Sequence, residues 1–161
     1  MDVISQILSY VVPLAAVCAS YILGRVAKSH ISRREYLLKR YNEFYVPFIQ
    51  AFFAGYLWSL PINKLSFDAR SKFFDHIMQN IQHLDEHTLS LVPDFYKAFL
   101  GMLEYEDSNP KYSDAPKQFA DIFNKVIRSV LLESIRLSKL TKQTSLGKTA
   151  LQLYDQYGYK G

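Results

Sequence analysis

The sequence predicts an all-α protein in which one N-terminal transmembrane helix is followed by a small cytoplasmic helical bundle of about four to five helices. The chain has 161 residues with only 6 Gly and 6 Pro, and it lacks the alternating apolar and polar runs that are typical of strands. Its apolar residues instead recur at spacings of three and four, which is the helical period. A long segment near the N-terminus is free of charged residues.

This uncharged segment covers residues 3–24, a stretch of 22 residues. A helix needs about 20 apolar residues to cross a hydrocarbon core, so the segment is long enough to span a membrane. No Lys or Arg precedes it, unlike in a secretory signal peptide, and we therefore predict that residues 1–24 are an uncleaved transmembrane anchor. The alternative interpretation is a buried helix of a soluble protein.

Positive charge is concentrated directly after the anchor, in a predicted basic juxtamembrane helix over residues 25–40. Glu35 is the single acid there, against six cations: Arg25, Lys28, Arg33, Arg34, Lys39 and Arg40. From residue 41 onward the chain has 13 Lys and Arg and 13 Asp and Glu, so the excess charge lies entirely beside the anchor. Positively charged flanks stay in the cytoplasm, which predicts a single-pass protein of the cell membrane with its N-terminus outside.

We expect these six cations to bind a lipid bilayer with anionic headgroups. Nucleic acid is the rival partner, because the chain as a whole has a net charge of +4. The cations, however, lie on one helix beside the predicted anchor, and the bilayer already accounts for them. We therefore predict no nucleic-acid partner.

Residues 41–161 are predicted to form the cytoplasmic bundle. Aromatic residues at helical spacing mark its first helix and are interpreted as core packing in preference to a ligand groove: Tyr41, Phe44, Tyr45, Phe48, Phe52 and Tyr56. Ser66 is predicted to cap a second helix, and Pro93 with Asp94 to open a third. A loop rich in turn-forming residues follows, and Pro116 starts the longest helix, over about residues 116–142.

The helix predicted over residues 116–142 has a basic face opposite its apolar face. Four cations fall within roughly 80 degrees of one another at about 100 degrees per residue: Lys125, Arg128, Arg136 and Lys139. This face is either a partner-binding surface for lipid headgroups or an acidic protein, or a solvated surface. Residues 85–121 have eight acids and three bases, whereas residues 125–148 have six bases and one acid. This opposition predicts two antiparallel helices on either side of the loop.

No catalytic, cofactor-binding or metal-binding pattern was found in the sequence. His76, His83 and His87 have spacings that would align three imidazoles on one helix face, as zinc requires. The surrounding residues are hydrophilic and the helix is predicted to end near Leu84, so solvated histidines are favoured. Cys18 is the single cysteine, and no glycine lies in a phosphate-binding loop. We therefore predict no enzymatic activity, no cofactor, no metal and no small-molecule substrate.

The chain resembles superinfection-exclusion proteins encoded by prophages of Gram-positive bacteria in three features. These are the predicted anchor, the basic segment that follows it and the run RYNEFYVPF at residues 40–48. The resemblance concerns the layout of the whole chain and includes no catalytic signature. It implies a host-membrane protein that prevents a second phage from delivering its DNA, through contact with a phage or host membrane protein. The alternative function is a structural or adaptor subunit of a bacterial envelope complex.

Overall fold

The structure, a computed structural model, describes residues 29, 31–55, 57 and 64–158. The chain divides into two units, Met1–Leu37 and Leu38–Gly161. In the first unit, residues 31–36 are helical and exposed. The predicted span over residues 3–24 lies outside the described residues, and among those described no helix combines the length and apolarity that crossing a membrane requires.

The described part of the second unit is all-α, with five α-helices and no strand. The helices are α1 (Val46–Ala54), α2 (Phe67–Gln79), α3 (Glu86–Glu106), α4 (Ala115–Thr141) and α5 (Leu146–Tyr157). A π-helical turn, Tyr41–Tyr45, precedes α1, and short 3-10 turns lie at Ile81–His83 and Pro110–Tyr112. This architecture confirms the predicted bundle of about four to five helices.

The π-turn is explained by the proline that follows it. Pro47 has no N–H to donate, and in a regular α-helix its ring would clash with the carbonyl four residues earlier. The backbone widens just before this point, so that the N–H of Val46 donates to the carbonyl of Tyr41, five residues earlier. Pro47 then occupies the first turn of α1, where a missing N–H costs little.

Side-chain caps define the starts of α2 and α3. The Ser66 hydroxyl accepts a hydrogen bond from the Ala69 N–H at 3.3 Å, which confirms the predicted cap of α2. At α3 the prediction was wrong, because Pro93 and Asp94 lie inside the helix and Asp85 is the N-cap. Its carboxylate accepts from the N–H groups of the first turn. Pro93 is tolerated in the interior because it is exposed, and water can bond the carbonyl that Pro93 leaves unpaired.

Helix α4 is the central element and agrees closely with the predicted helix over residues 116–142. It packs antiparallel against α3: Phe95 lies beside Phe123, with ring centroids 5.5 Å apart, and Phe99 lies beside Phe119 at 6.2 Å. The predicted antiparallel pairing of these helices is therefore confirmed. Helix α5 returns along the other side of α4, where the Tyr154 hydroxyl bonds the Asn124 side chain.

The core between the helices is largely aromatic. The predicted aromatic stripe is buried at Tyr41, Phe44, Tyr45, Phe48 and Phe52, while Tyr56 lies outside the described residues. Phe73 of α2 joins this stripe to α4 through edge contacts with Phe48 and Phe123, both at 5.9 Å between centroids. Such ring pairs contribute about 0.5–1.5 kcal/mol beyond the burial of their area. Core packing is thus the role of the described stripe residues.

Candidate functional site

The predicted juxtamembrane cations do not share one environment. Arg25 and Lys28 lie outside the described residues. Arg33 and Arg34 are exposed on the helical segment of the first unit. In the second unit Lys39 is exposed and lies 4.0 Å from the Glu43 carboxylate, whereas Arg40 is buried. The expectation that Arg40 contacts lipid headgroups is therefore corrected, because its guanidinium points into the bundle.

Arg40 is the centre of a buried polar cluster. It is 7% exposed, and its Nε and Nη2 atoms donate to the main-chain carbonyl of His83 at 2.9 Å and 2.8 Å. Nη2 also lies 3.4 Å from the Tyr45 hydroxyl and 3.4 Å from Oε1 of Glu133. Arg40 thus joins the π-turn, the segment before α3 and the C-terminal half of α4. An arginine is suited to this role because its planar fork of donors satisfies several acceptors at once.

Glu133 provides the negative charge of the cluster and is 6% exposed. Besides Arg40, it accepts two hydrogen bonds from Arg136, at 2.5 Å and 2.6 Å. This bidentate pair raises the pKa of the Arg136 guanidinium. Two cations around one buried carboxylate offset the cost of removing its charge from water. The cluster therefore resembles a structural ion triad in which Glu133 is the shared member.

The π-turn determines which side chains reach the cluster. Residues five apart come to the same side of the wider π-helical turn, so Arg40 and Tyr45 both reach the His83 carbonyl. The Tyr45 hydroxyl donates to it at 3.2 Å. Burial raises the pKa of the Tyr45 phenol, and the opposing attraction of Arg40 is the smaller effect. The phenol is therefore a neutral hydrogen-bond donor and not a base.

The three histidines weighed as metal ligands lie in different surroundings. His83 is buried and its Nε2 is 3.2 Å from Oε2 of Glu43, so the prediction of a solvated side chain was wrong for this residue. His76 stacks on the Phe44 ring at 5.2 Å between centroids, and His87 is exposed. Within the described ranges no group of three or more His, Cys, Asp or Glu is placed to hold a metal ion.

A shallow cleft of about 650 Å³ borders the cluster, between the start of α3 and the C-terminal half of α4. Its lining is polar: Asp85, Glu86, His87, Ser90, Glu133 and Arg136. The Asp85 carboxylate is engaged in capping α3, and it also accepts a hydrogen bond from the Thr88 hydroxyl. Because the Thr88 hydroxyl already donates its hydrogen bond to Asp85, it can only accept from the Ser129 hydroxyl of α4, which lies 2.7 Å away. The two hydroxyls thus link α3 to α4.

The four cations of the predicted basic face, Lys125, Arg128, Arg136 and Lys139, are all exposed on α4. Arg128 forms an ion pair with Asp155 of α5 at 2.5 Å, and Arg136 pairs with Glu133. Lys125 lines a hollow of about 330 Å³ that also contains Asp94 and Asp121. Leu132, at the middle of the face, is exposed too. The face is therefore a mixed surface in which carboxylates partly offset the positive charge.

Sequence reasoning missed the Arg40–Glu133 pair, although its helical positions contain a signal. Glu133 lies seven residues after Val126 and four before Leu137, both of which are buried, so it belongs to the apolar face of α4. Arg40 similarly lies four residues before the buried Phe44. Two opposite charges on the apolar faces of two predicted helices indicate a buried ion pair, because an unpaired charge there would be too costly.

Comparison of the chain with protein-family models, with curated proteins and with solved structures gives no match.

Proposed function

We propose that the chain is a membrane-anchored, non-enzymatic protein that acts by contact at the cytoplasmic face of the cell membrane, and that its activity is superinfection exclusion. The observation that carries the proposal is the segregation of charge: 22 uncharged residues over 3–24 are followed by six cations and one acid over residues 25–40. This order favours insertion with the C-terminal part in the cytoplasm. From residue 41 onward the chain has equal numbers of acids and bases, 13 of each.

The arrangement of the bundle is compatible with action by contact. Two of its buried charges, Arg40 and Glu133, bond to each other, and Arg40 also bonds to the main chain, so the pair connects the π-turn to α4. Such a pairing supports a rigid scaffold in the part of the bundle that the chain enters first. A rigid domain confined to the membrane surface meets membrane-bound partners at a higher effective concentration, with no new contact needed.

The decisive experiment expresses two chains in a Gram-positive host that is then challenged with phages. One is the full chain and the other lacks residues 3–24. The full chain is expected to reduce plating efficiency by orders of magnitude while phage adsorption stays normal, because DNA entry is the step blocked. The deletion is expected to restore plating, because the bundle is then diluted through the cytoplasm. A third chain, in which an unrelated host transmembrane helix replaces residues 3–24, should still protect.

Two outcomes would reject exclusion. Equal protection by the deletion would show that membrane residence is not required. Absence of protection by the full chain, together with stoichiometric co-purification of a host envelope protein, would favour the adaptor function instead. Immunoblotting of membrane and soluble fractions confirms in each case that the compared chains accumulate to the same level.

A further inference from the structure

The surface where α4 turns into α5 differs from the rest of the bundle in its charge. We define this α4–α5 corner as residues 139–149. Its exposed side chains include three lysines, Lys139, Lys142 and Lys148, and two leucines, Leu140 and Leu146. From residue 134 to residue 154 the sequence contains no Asp or Glu. The corner is thus a basic surface with exposed apolar side chains at its centre.

Backbone geometry keeps this corner tight. Lys142, the C-cap of α4, adopts the left-handed conformation with φ 58° and ψ 40°. Its N–H bonds the last carbonyls of α4, and the chain reverses into α5 within a few residues. Leu140 is 50% exposed and Leu146 is 37% exposed. Both leucines therefore lie on an ordered turn between two helices and not on a flexible tail.

The first residues of the second unit contact this same corner. The Tyr41 hydroxyl donates to the Thr144 carbonyl at 2.7 Å, within the corner. Arg40, one residue earlier, contacts Glu133 on the last third of α4. The segment that links the bundle to the proposed anchor therefore joins the second unit beside the three lysines.

The far end of the bundle has a mixed charge, unlike the corner. Helix α4 has 27 residues, so its two ends are separated by about 40 Å. The α3–α4 connection lies at the distant end and has exposed charges of both signs: Glu104, Asp107 and Asp114 beside Lys111 and Lys117, while Glu106 is paired with Arg70. Near the corner, Glu133 is held by Arg40 and Arg136 and Asp85 caps α3, while Glu86 is an exposed acid beside the cleft. An anionic surface would therefore attract the corner more strongly than it attracts the opposite end.

From this charge complementarity we infer that the α4–α5 corner docks on the anionic headgroup surface of the membrane, with Leu140 and Leu146 in the interfacial layer and the three lysines on lipid phosphates. The inference rests on the proposed membrane anchor and deepens it by identifying a second lipid contact. Exposed leucines beside lysines are suited to this surface, because lysine stems can lie along apolar surface while the ammonium groups stay at the phosphates.

The test places an environment-sensitive fluorophore on the full chain in lipid nanodiscs. In a Cys18→Ser background, the label is attached at Leu140→Cys or, as a matched control, at Leu100→Cys, which is 43% exposed near the opposite end. In discs that contain phosphatidylglycerol, emission from position 140 should shift to shorter wavelength and be quenched by nitroxide-labelled lipid. Position 100 should show neither change, and discs of phosphatidylcholine alone should reduce the response at position 140.

Charge substitutions complete the test. Each lysine at an anionic surface adds to the free energy of docking, so replacing Lys139, Lys142 and Lys148 by Gln should lower the equilibrium constant for docking by tenfold or more. The control replaces the exposed Lys97, Lys111 and Lys117, a change of equal charge outside the corner, and should leave the response intact. Equal responses at positions 140 and 100, or none at 140 in a chain that elutes with the discs, would overturn the inference but not the anchor. A chain that stays in solution without discs or detergent would overturn both.

Discussion

At the scale of single residues, Glu133 is expected to have a large effect on stability. Its carboxylate is the shared partner of Arg40 and Arg136, and Arg40 is itself buried. Removing one member of a buried ion cluster leaves the partner's charge buried and unpaired. The free-energy cost of that unpaired charge is far larger than the net stability that the intact pair provides over two apolar side chains. The loss should therefore appear as global unfolding and not as a local change at the cleft.

We expect Glu133→Gln to lower the free energy of unfolding by about 3–5 kcal/mol. The matched control is Asp155→Asn, which makes the same chemical change in the half-exposed pair with Arg128 and should cost about 1 kcal/mol or less. Denaturant unfolding of the full chains in one detergent, followed by circular dichroism, measures both values. Similar losses in the two variants would contradict the structural role assigned to Glu133.

Tyr154 makes stability depend on alkaline pH. Burial, the largest effect, raises the pKa of its phenol from 10.0 to about 12, against the attraction of Arg128. The folded chain thus holds the phenolic proton more tightly than the unfolded chain does. The corresponding stability is complete below a pH of about 10 and is lost as the pH rises through about 12.

The Tyr154→Phe variant has no proton to lose at this position, so its stability should fall less steeply above pH 10 than that of the original chain. The variant also lacks the hydrogen bond to Asn124, which lowers stability at every pH without changing the slope. Urea unfolding of both chains from neutral pH to about 12 separates the two effects. Parallel curves across the alkaline range would contradict this origin of the pH dependence.

At the scale of elements, sequence patterns predicted helices well where one face is continuously apolar. Helix α4 was predicted because its apolar residues follow one face over many turns, and α2 because Ser66 caps it. The start of α3 was misplaced because Pro93 is typical of a first turn, whereas Asp85 supplies the actual cap. The π-turn at Tyr41–Tyr45 has no simple sequence signal, since it arises from Pro47 together with packing against α4.

Gly147 lies where α5 packs closely on α4, and a substitution there tests this packing. A Cβ atom at this position would lie 2.7 Å from Oγ of Ser134 and 2.9 Å from the Leu131 carbonyl oxygen. The Leu131 carbonyl belongs to the backbone of α4 and cannot move away cheaply. We expect Gly147→Ala to destabilise the bundle by about 1–3 kcal/mol through this overlap, despite the higher helix propensity of Ala.

Gly101→Ala is the matched control, because a Cβ there meets the Ala115 Cβ at 3.6 Å, an ordinary contact. This variant should be neutral or more stable by up to about 1 kcal/mol, since Ala favours the helical state. Thermal unfolding monitored at the helical signal compares the two chains directly. A Gly147→Ala chain as stable as Gly101→Ala would show that α5 does not approach α4 this closely.

At the scale of the whole molecule, composition predicted where charge lies along the chain. It did not predict which charged side chains are exposed and which are buried in ion pairs. Counting cations placed Arg40 with the membrane-facing residues, although it is buried against Glu133. Local counts miss such pairing because the two residues are distant in sequence and meet only in the folded bundle. Arg33 and Arg34 are exposed, as a lipid-binding role requires, and that role stays a prediction.

This distinction sharpens the test of orientation. Replacing Arg25, Lys28, Arg33, Arg34 and Lys39 by Gln removes positive charge beside the proposed anchor while sparing Arg40, whose loss would unfold the bundle. Because Lys and Arg hold their flank in the cytoplasm, the variant should populate both orientations, whereas the original chain is expected to keep its C-terminus inside. Replacing Lys97, Lys111, Lys117, Lys125 and Lys148 removes the same charge from the bundle and should leave the orientation unchanged. Protease treatment of protoplasts measures the fraction of chains whose C-terminal tag is protected inside the cell. If this fraction is the same in the first variant as in the original chain, the positive-inside assignment is contradicted.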